Sequence, residues 1–569
     1  MDGDRQVQVG IDAGGEPVTA ALTWGQQAIW KPIQWYGDQS SYFNMATMCE
    51  LPDGTELAAL LDVLRRLTEA HQGLRTHYVN SDDGPRQQVQ PAGTLTVELR
   101  DCEREQLEET AAGLFDELRL RCFDHAREWP VRFGVVRVAG QPLRLVIVAS
   151  HVCLDSRSMR LVTDEITAML EGKPADPGPE DRWQAVDEAN YQQTPAGSRR
   201  SAAALDFWQR TLTSMPHTMF DFAPAPPATP RFQSLGLKSA ALAVAADRLA
   251  TAGRISTSSV LLAGAAVALA TISGRDSSAL QLIVGNRHDD LRQRLLAPTS
   301  QNGMFHIDLG DGDFAGLARR CYRGGLDAYR FGYYDTAALD EMIASTGLQQ
   351  GVRHDLAAYF NDIRGGQDRW DEIDGATFTR ADVERLREQG EEVVIGAWDV
   401  QDCKFFFNVD RAPGQCLISV LTDTAYVPSP MAVLRGVENL LIEAAYRPVA
   451  LAEAADLTGL RPAVRGEDWW PIESGWIRPQ AMVEVLRAAA GTQDVAVFRA
   501  ADGRLLAFVV GDGEVDALHR RVVELLEDRT DAVAPHQYHL CPRRPEAGDD
   551  LDAWSAVGVT RSGSGRIDG

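Results

Sequence analysis

The chain has 569 residues, 44% hydrophobic and 24% charged, an ordinary balance for a folded protein of roughly four domain-sized units at ~150 residues each. Its 56 Lys+Arg against 81 Asp+Glu leave a net charge of −25, which opposes nonspecific attraction to nucleic acid phosphates or to anionic lipid. Eight widely spaced cysteines form no CxxC pair, a pattern expected of reduced thiols in a cytoplasmic protein and not of a disulfide framework or a zinc site.

The N-terminal stretch MDGDRQVQVGIDAGG lacks an apolar core, so no secretory signal is expected. Leu57, Leu60, Leu61, Leu64 and Leu67 follow the rhythm of an amphipathic helix, with Thr55 as its expected N-cap. Residues 143–149 (LRLVIVA) predict a buried strand. A polar loop, SHVCLDSRS, follows it, and Met159, Val162, Ile166 and Met169 then predict a helix. Proline-rich breaks are expected at 174–181 and 216–232, because proline blocks helix continuation and central strand pairing. The longest apolar run, Val260–Ala270, falls short of the ~20 residues that a membrane span needs and predicts a buried core helix. After a polar stretch at 448–468, a C-terminal module is expected to hold a helix at 479–489, a hairpin at 494–513 turning at Asp502-Gly503, and a helix at 514–528. No fixed-period repeat is present. The whole predicts an α/β (α+β) protein in three parts, 18–180, 200–448 and 467–569.

His151 and Asp155 stand in the loop just beyond the apolar strand. A rigid strand fixes the direction of such a loop, and imidazole titrates nearest neutrality, so His151 is a candidate general base. The same residues also suit a structural reading, with Asp155 or Ser156 capping the next helix and His151 serving packing alone. Elsewhere, His288, His306 and His354 are scattered with no metal-ligand spacing, and no GxSxG nucleophile elbow occurs. Cys153 reads as a small packing residue.

SHVCLDS resembles the HHxxxDG motif of condensation domains of nonribosomal peptide synthetases, with Ser150 at the first His, His151 at the second, Asp155 at the Asp and Ser156 at the Gly. Further landmarks occur in the family's order. ALTWGQQAIW (21–30) resembles the opening motif, and LTEAHQGLRTHY (67–78) is similar to the LVxRHExLRTxF segment. Residues 283–309, YFNDIR (359–364) and 417–441 resemble later segments, so that the likeness covers about 18–445.

The resemblance implies two chloramphenicol-acetyltransferase-like lobes in a V-shaped pseudo-dimer, the His loop lying midway along a tunnel. It implies a stand-alone enzyme of nonribosomal peptide or antibiotic biosynthesis. Such an enzyme forms an amide, or an ester, between a carrier-bound acyl thioester and an acceptor amine or hydroxyl. His151 would deprotonate or position the acceptor. Asp155 would hold the loop by pairing with an arginine, Arg287 in preference to Arg75, and Ser150 would supply part of the first histidine's hydrogen bonding. No cofactor is implied beyond the phosphopantetheine arm of a carrier protein supplied in trans; no metal, nucleic acid or membrane is implied. The partners would be acyl-loaded carriers or a partner synthetase, with a small-molecule acceptor as an alternative. Two other readings stand beside this one: a catalytically degenerate scaffold that recruits carriers, and an acyltransferase that uses coenzyme A thioesters.

Residues 467–569 resemble the small C-terminal subdomain of adenylation domains, ending in GSGRIDG with Arg566 where that family has a catalytic lysine. No phosphate-cradling loop accompanies it, so ATP-driven chemistry is not expected. The Arg pairs at 199–200, 319–320 and 520–521 read as solvated helix faces or as contributors to carrier docking.

Overall fold

A computed structural model of the chain describes residues 5–173, 182–364, 373–527 and 529–566. The expected break at 174–181 lies outside the described residues. The chain divides into two compact units. The first takes the described residues up to Ala202 together with Val284–Gln301 and Tyr333–Thr336, and the second takes the remainder.

The first unit is built on a five-stranded sheet in the order Arg5–Asp12, Ala92–Cys102, Val131–Val138, Gln141–Ser150, Asn44–Glu50. The predicted strand at 143–149 is thus one of its inner strands, Gln141–Ser150. Side chains alternate across a strand, and here both faces are covered. Leu145, Ile147 and Ala149 pack in a cluster with Leu60, Leu64 and Leu67 of helix Leu57–Ala70 and Val162 of helix Ser156–Leu170. Val146 and Val148 pack with Leu107, Leu114 and Leu118 of helix Leu107–Leu120. Double coverage explains why the strand reads as a continuous apolar run.

Helix Leu57–Ala70 is not capped by Thr55. Glu56 occupies the cap position without a side-chain hydrogen bond, and the Thr55 hydroxyl instead donates to the Pro52 carbonyl at 2.6 Å. The leucine rhythm locates the helix, whereas its first turn is settled by the backbone bend at Pro52.

The second unit holds a seven-stranded sheet in the order Gln301–Asp308, Ser277–Val284, Ala358–Asp362, Phe405–Ala412, Gln415–Asp423, Phe232–Ser239, Glu391–Trp398. The apolar run at 260–270 lies within helix Thr257–Ser273, buried almost throughout. Among the described residues no single helix is long and apolar enough to cross a membrane. The proline-rich segment 216–232 runs without regular structure until the strand begins at Phe232.

Within this unit the C-terminal module carries its own four-stranded sheet, Val495–Arg499, Leu505–Val510, Gln537–Cys541 and Arg561–Gly563. The first two strands pair antiparallel, and Gly503 takes a φ of +84° in the turn that joins them. Helices Pro479–Ala490 and Val515–Glu524 cover the sheet. The module is sutured to the rest of the unit. Val352 is buried in its core, Ala534 N–H donates to the Gly351 carbonyl at 2.7 Å, and His519 Nε2 lies 2.8 Å from the Leu348 carbonyl. All eight cysteines are free.

Candidate active site

The loop that follows strand Gln141–Ser150 is held from both ends. The Ser150 carbonyl accepts from Cys153 N–H and Leu154 N–H at 2.9 and 3.2 Å, and His151 N–H donates to Phe43 O at 2.8 Å. The backbone turn points the His151 ring back along itself, so that Nδ1 lies 2.9 Å from the Leu154 carbonyl. A carbonyl only accepts, so Nδ1 carries the ring proton and the Nε2 lone pair is left available. His151 is half-buried, and no described residue hydrogen-bonds its Nε2. An imidazole held in one tautomer with an open nitrogen can accept a proton.

Asp155 is the N-cap of helix Ser156–Leu170, its Oδ1 accepting from Ser158 N–H at 2.7 Å. Its two oxygens also lie 2.8 and 2.9 Å from Arg287 Nη2. Burial by itself would raise this carboxyl, but the charge of Arg287 and the hydrogen bonds of Ser158 and Arg287 outweigh burial and hold it below the usual carboxylate range. Arg287 Nη1 donates to the carbonyls of Arg292 and Leu295 at 2.7 and 2.8 Å, so one guanidinium ties the helix cap to the segment 284–301. Arg75 is elsewhere. It donates to the Gln90 carbonyl at 2.6 Å and to the Glu69 carbonyl at 3.3 Å, and it makes no contact with Asp155.

Ser150 is 1% exposed, and its Oγ lies 2.8 Å from Nε2 of His125. Sequence reasoning missed His125, because no periodicity links it to the loop; the structure packs it edge-on against Trp30 at a centroid distance of 5.4 Å. Burial lowers the His125 imidazole to about 4, so it is neutral at pH 7. Ser156 occupies the first helical position, exposed and with ordinary negative φ, so glycine's conformational freedom is not needed there. Cys153 is fully buried, burial pushes its thiol far up, and its Sγ donates to the Gly73 carbonyl at 3.2 Å, which makes it an inert packing group.

The LTEAHQGLRTHY segment contributes a brace behind the loop. His71 Nε2 lies 2.8 Å from Glu165 Oε2 on helix Ser156–Leu170, and Arg182 Nη2 donates to Glu165 Oε1 at 2.6 Å. Among the described residues no group of three His, Cys, Asp or Glu is placed to hold a metal ion.

The family described as condensation domain matches residues 18–305, just over half of the chain, and these residues include the whole His151 loop and Arg287. The chain belongs to the condensation-domain family. This condensation domain is 27% identical over 334 residues to the isonitrile lipopeptide synthase of Mycobacterium tuberculosis, a match that covers 56% of the chain and 13% of the synthase. It is 23% identical over 348 residues to bacitracin synthase 3 of Bacillus licheniformis, covering 59% of the chain and 5% of that protein. The chain thus spans a small fraction of the length of the curated relatives it matches. Among solved structures, the condensation domain of the monacolin K polyketide synthase MokA superposes with a TM-score of 0.61 at 14% identity, covering 76% of this chain and 99% of that one. The SgcC5 protein of Streptomyces globisporus superposes with a TM-score of 0.57 at 17% identity, covering 75% and 99%. These likenesses establish the chloramphenicol-acetyltransferase-like α/β fold of condensation domains.

Proposed function

We propose that this condensation domain joins a carrier-bound acyl or aminoacyl thioester to an acceptor amine or hydroxyl in nonribosomal peptide or related antibiotic biosynthesis. The observation that carries the reading is the His151 ring, tautomer-locked by the Leu154 carbonyl with Nε2 open. A thioester carbonyl is already activated, so the step needs alignment of two reactants and removal of one proton. His151 Nε2 takes the proton of the acceptor as its lone pair attacks the thioester carbon. The tetrahedral intermediate then collapses with loss of the phosphopantetheine thiolate, which leaves with that proton. Asp155 and Arg287 hold the loop and touch no substrate. Ser150, with His125, fills the place of the motif's first histidine.

The phosphopantetheine arm would arrive on a carrier protein supplied in trans, and the chain would work in the cytoplasm, in keeping with its eight free cysteines. The module at 467–569, which resembles the small subdomain of adenylation domains, is read as a remnant or as a docking surface for a carrier or partner synthetase, not as an activating unit. Mixing the protein with acyl-loaded carriers, acyl-CoA and amine acceptors, and following products by intact mass, tests the proposal. Turnover with loaded carriers that His151→Ala lowers by ~10²-fold or more supports it. Carrier binding without turnover in either protein favours a recruiting scaffold, and preference for acyl-CoA favours a free acyltransferase.

A further inference from the structure

The second unit contains a cavity of about 570 Å³ at the seam where the C-terminal module meets the seven-stranded sheet. None of the residues around His151 contributes to it. Its wall carries an unusual set of side chains for a structural seam: His217, Arg275, His306, His354, His536 and Arg566. A seam that served packing alone would be filled with apolar groups, as the module's own core is. A volume of this size suits a small-molecule ligand.

The polar wall is incompletely satisfied. His217 Nε2, Arg275 Nε, His306 Nε2, His354 Nδ1 and Arg566 Nε are all buried without a hydrogen-bond partner. Five such atoms around one cavity is a concentration that native proteins do not carry without a reason. The opposite nitrogens of two of these rings are engaged: His217 Nδ1 lies 3.3 Å from the Ser474 carbonyl, and His354 Nε2 lies 3.0 Å from Gln350 Oε1. A carbonyl and an amide oxygen only accept, so each of these rings carries its proton on the engaged nitrogen, and its spare nitrogen is a lone pair that can accept from a ligand hydroxyl or acid O–H.

The charges on the wall differ in how they are matched. Arg275 is paired with Asp221, which is 0% exposed and also takes Arg465 Nη2 at 2.6 Å and Trp476 N–H at 2.7 Å. Among the described residues Arg566 meets no carboxylate, and its guanidinium forms no ion pair or hydrogen bond, although the side chain is largely buried. Burial accordingly pushes Arg566 down from its ordinary value. The acidic residues of the lining, Asp276, Asp308 and Glu473, are exposed to water, which screens them, and Asp308 Oδ1 lies 3.8 Å from His306 Nε2. An unpaired buried guanidinium is costly unless an anion meets it. The guanidinium of Arg566 is thus the group on this wall that an anion would satisfy.

We infer that this cavity is a binding site for a small oxoanion-bearing molecule, a phosphate or carboxylate compound, whose charged head pairs with Arg566 and accepts from His536, whose Nδ1 takes Leu505 N–H at 3.0 Å so that Nε2 carries the proton. The site lies beyond the condensation reaction assigned above and stands or falls independently of it.

Titration calorimetry of the full chain with inorganic phosphate, pyrophosphate and citrate tests the inference, the phosphate and carboxylate arms separating the two sources of the oxoanion. At least one probe is expected to bind at one site per chain. Arg566→Gln should weaken that binding by about tenfold or more, Arg566→Lys should recover part of it, and His151→Ala should leave it unchanged. A second readout needs no variant: histidine side-chain NMR signals of His354 and His536 should move with the bound probe while His539, which does not line the cavity, stays still. Absence of binding by all three probes, or affinity unchanged in folded Arg566→Gln, would overturn the assignment.

Discussion

His151 shows how a single backbone acceptor decides what a side chain can do. Without the Leu154 carbonyl at 2.9 Å, either ring nitrogen could carry the proton; with it, the basic nitrogen is Nε2. Ser150 shows the same logic in a buried position. Its hydroxyl is small enough to leave room for His125, which reaches it at 2.8 Å from a position 25 residues earlier and brings an imidazole into contact with the motif's first position. Restoring the histidine seen in the family motif is therefore expected to harm the fold. Ser150→His would drive a second ring into a fully packed site and cost about 1–3 kcal/mol, and His125→Ala in the same chain would recover part of the loss. Thermal unfolding of the single and double variants measures this, and an unchanged midpoint for Ser150→His would show that the site has room.

At the scale of elements, the candidate site depends on one helix end meeting one returning segment. Asp155 caps helix Ser156–Leu170, and Arg287, 132 residues later, binds the cap carboxylate and three carbonyls of its own segment, those of Arg292, Leu295 and Ala297. Arg287→Ala leaves a buried carboxylate unpaired and is expected to cost ~3–5 kcal/mol. Arg287→Lys should recover little, because an ammonium cannot span the Asp155 carboxylate and the carbonyls of Arg292 and Leu295 together. Denaturant titration gives the stabilities, and recovery to within about 1 kcal/mol by lysine would argue that charge alone suffices. The pH sign follows from the lowered carboxyl. The pairing contributes stability above the unfolded value of about 4, and that contribution is lost as pH falls through the lower folded value. The gap between wild type and Arg287→Ala should therefore be full at pH 7 and shrink in strong acid.

For the whole molecule, the C-terminal module is part of the second unit's stability, not an appendage. It buries Val352, and it supplies Trp476 N–H to Asp221. A chain ended after Gly466 exposes the apolar surface around Leu348 and Val352 and deprives the buried Asp221 of one donor. Scanning calorimetry should show a lower unfolding temperature for the truncated chain, and an identical one would show the module to be thermally independent.

Local rules made much of this readable in advance. The leucine rhythm at 57–67, the apolar run at 143–149 and the Asp502-Gly503 turn each lie within helix Leu57–Ala70, strand Gln141–Ser150 and the hairpin, because backbone period and turn chemistry act over a few residues. The cap at Thr55 was misread for want of the bend at Pro52 that the Thr55 hydroxyl closes. The loop motif and the ordered landmarks indicated the condensation family, and position in the chain placed His151 and Asp155 at the end of a strand. The resemblance favoured Arg287 over Arg75, but nothing local could find His125 or show that Arg566 meets no carboxylate among the described residues. Those outcomes rest on contacts between residues tens to hundreds of positions apart. Only strand order and the crossing of segment 284–301 into the first unit bring such residues together, and a short-range pattern carries no record of that path.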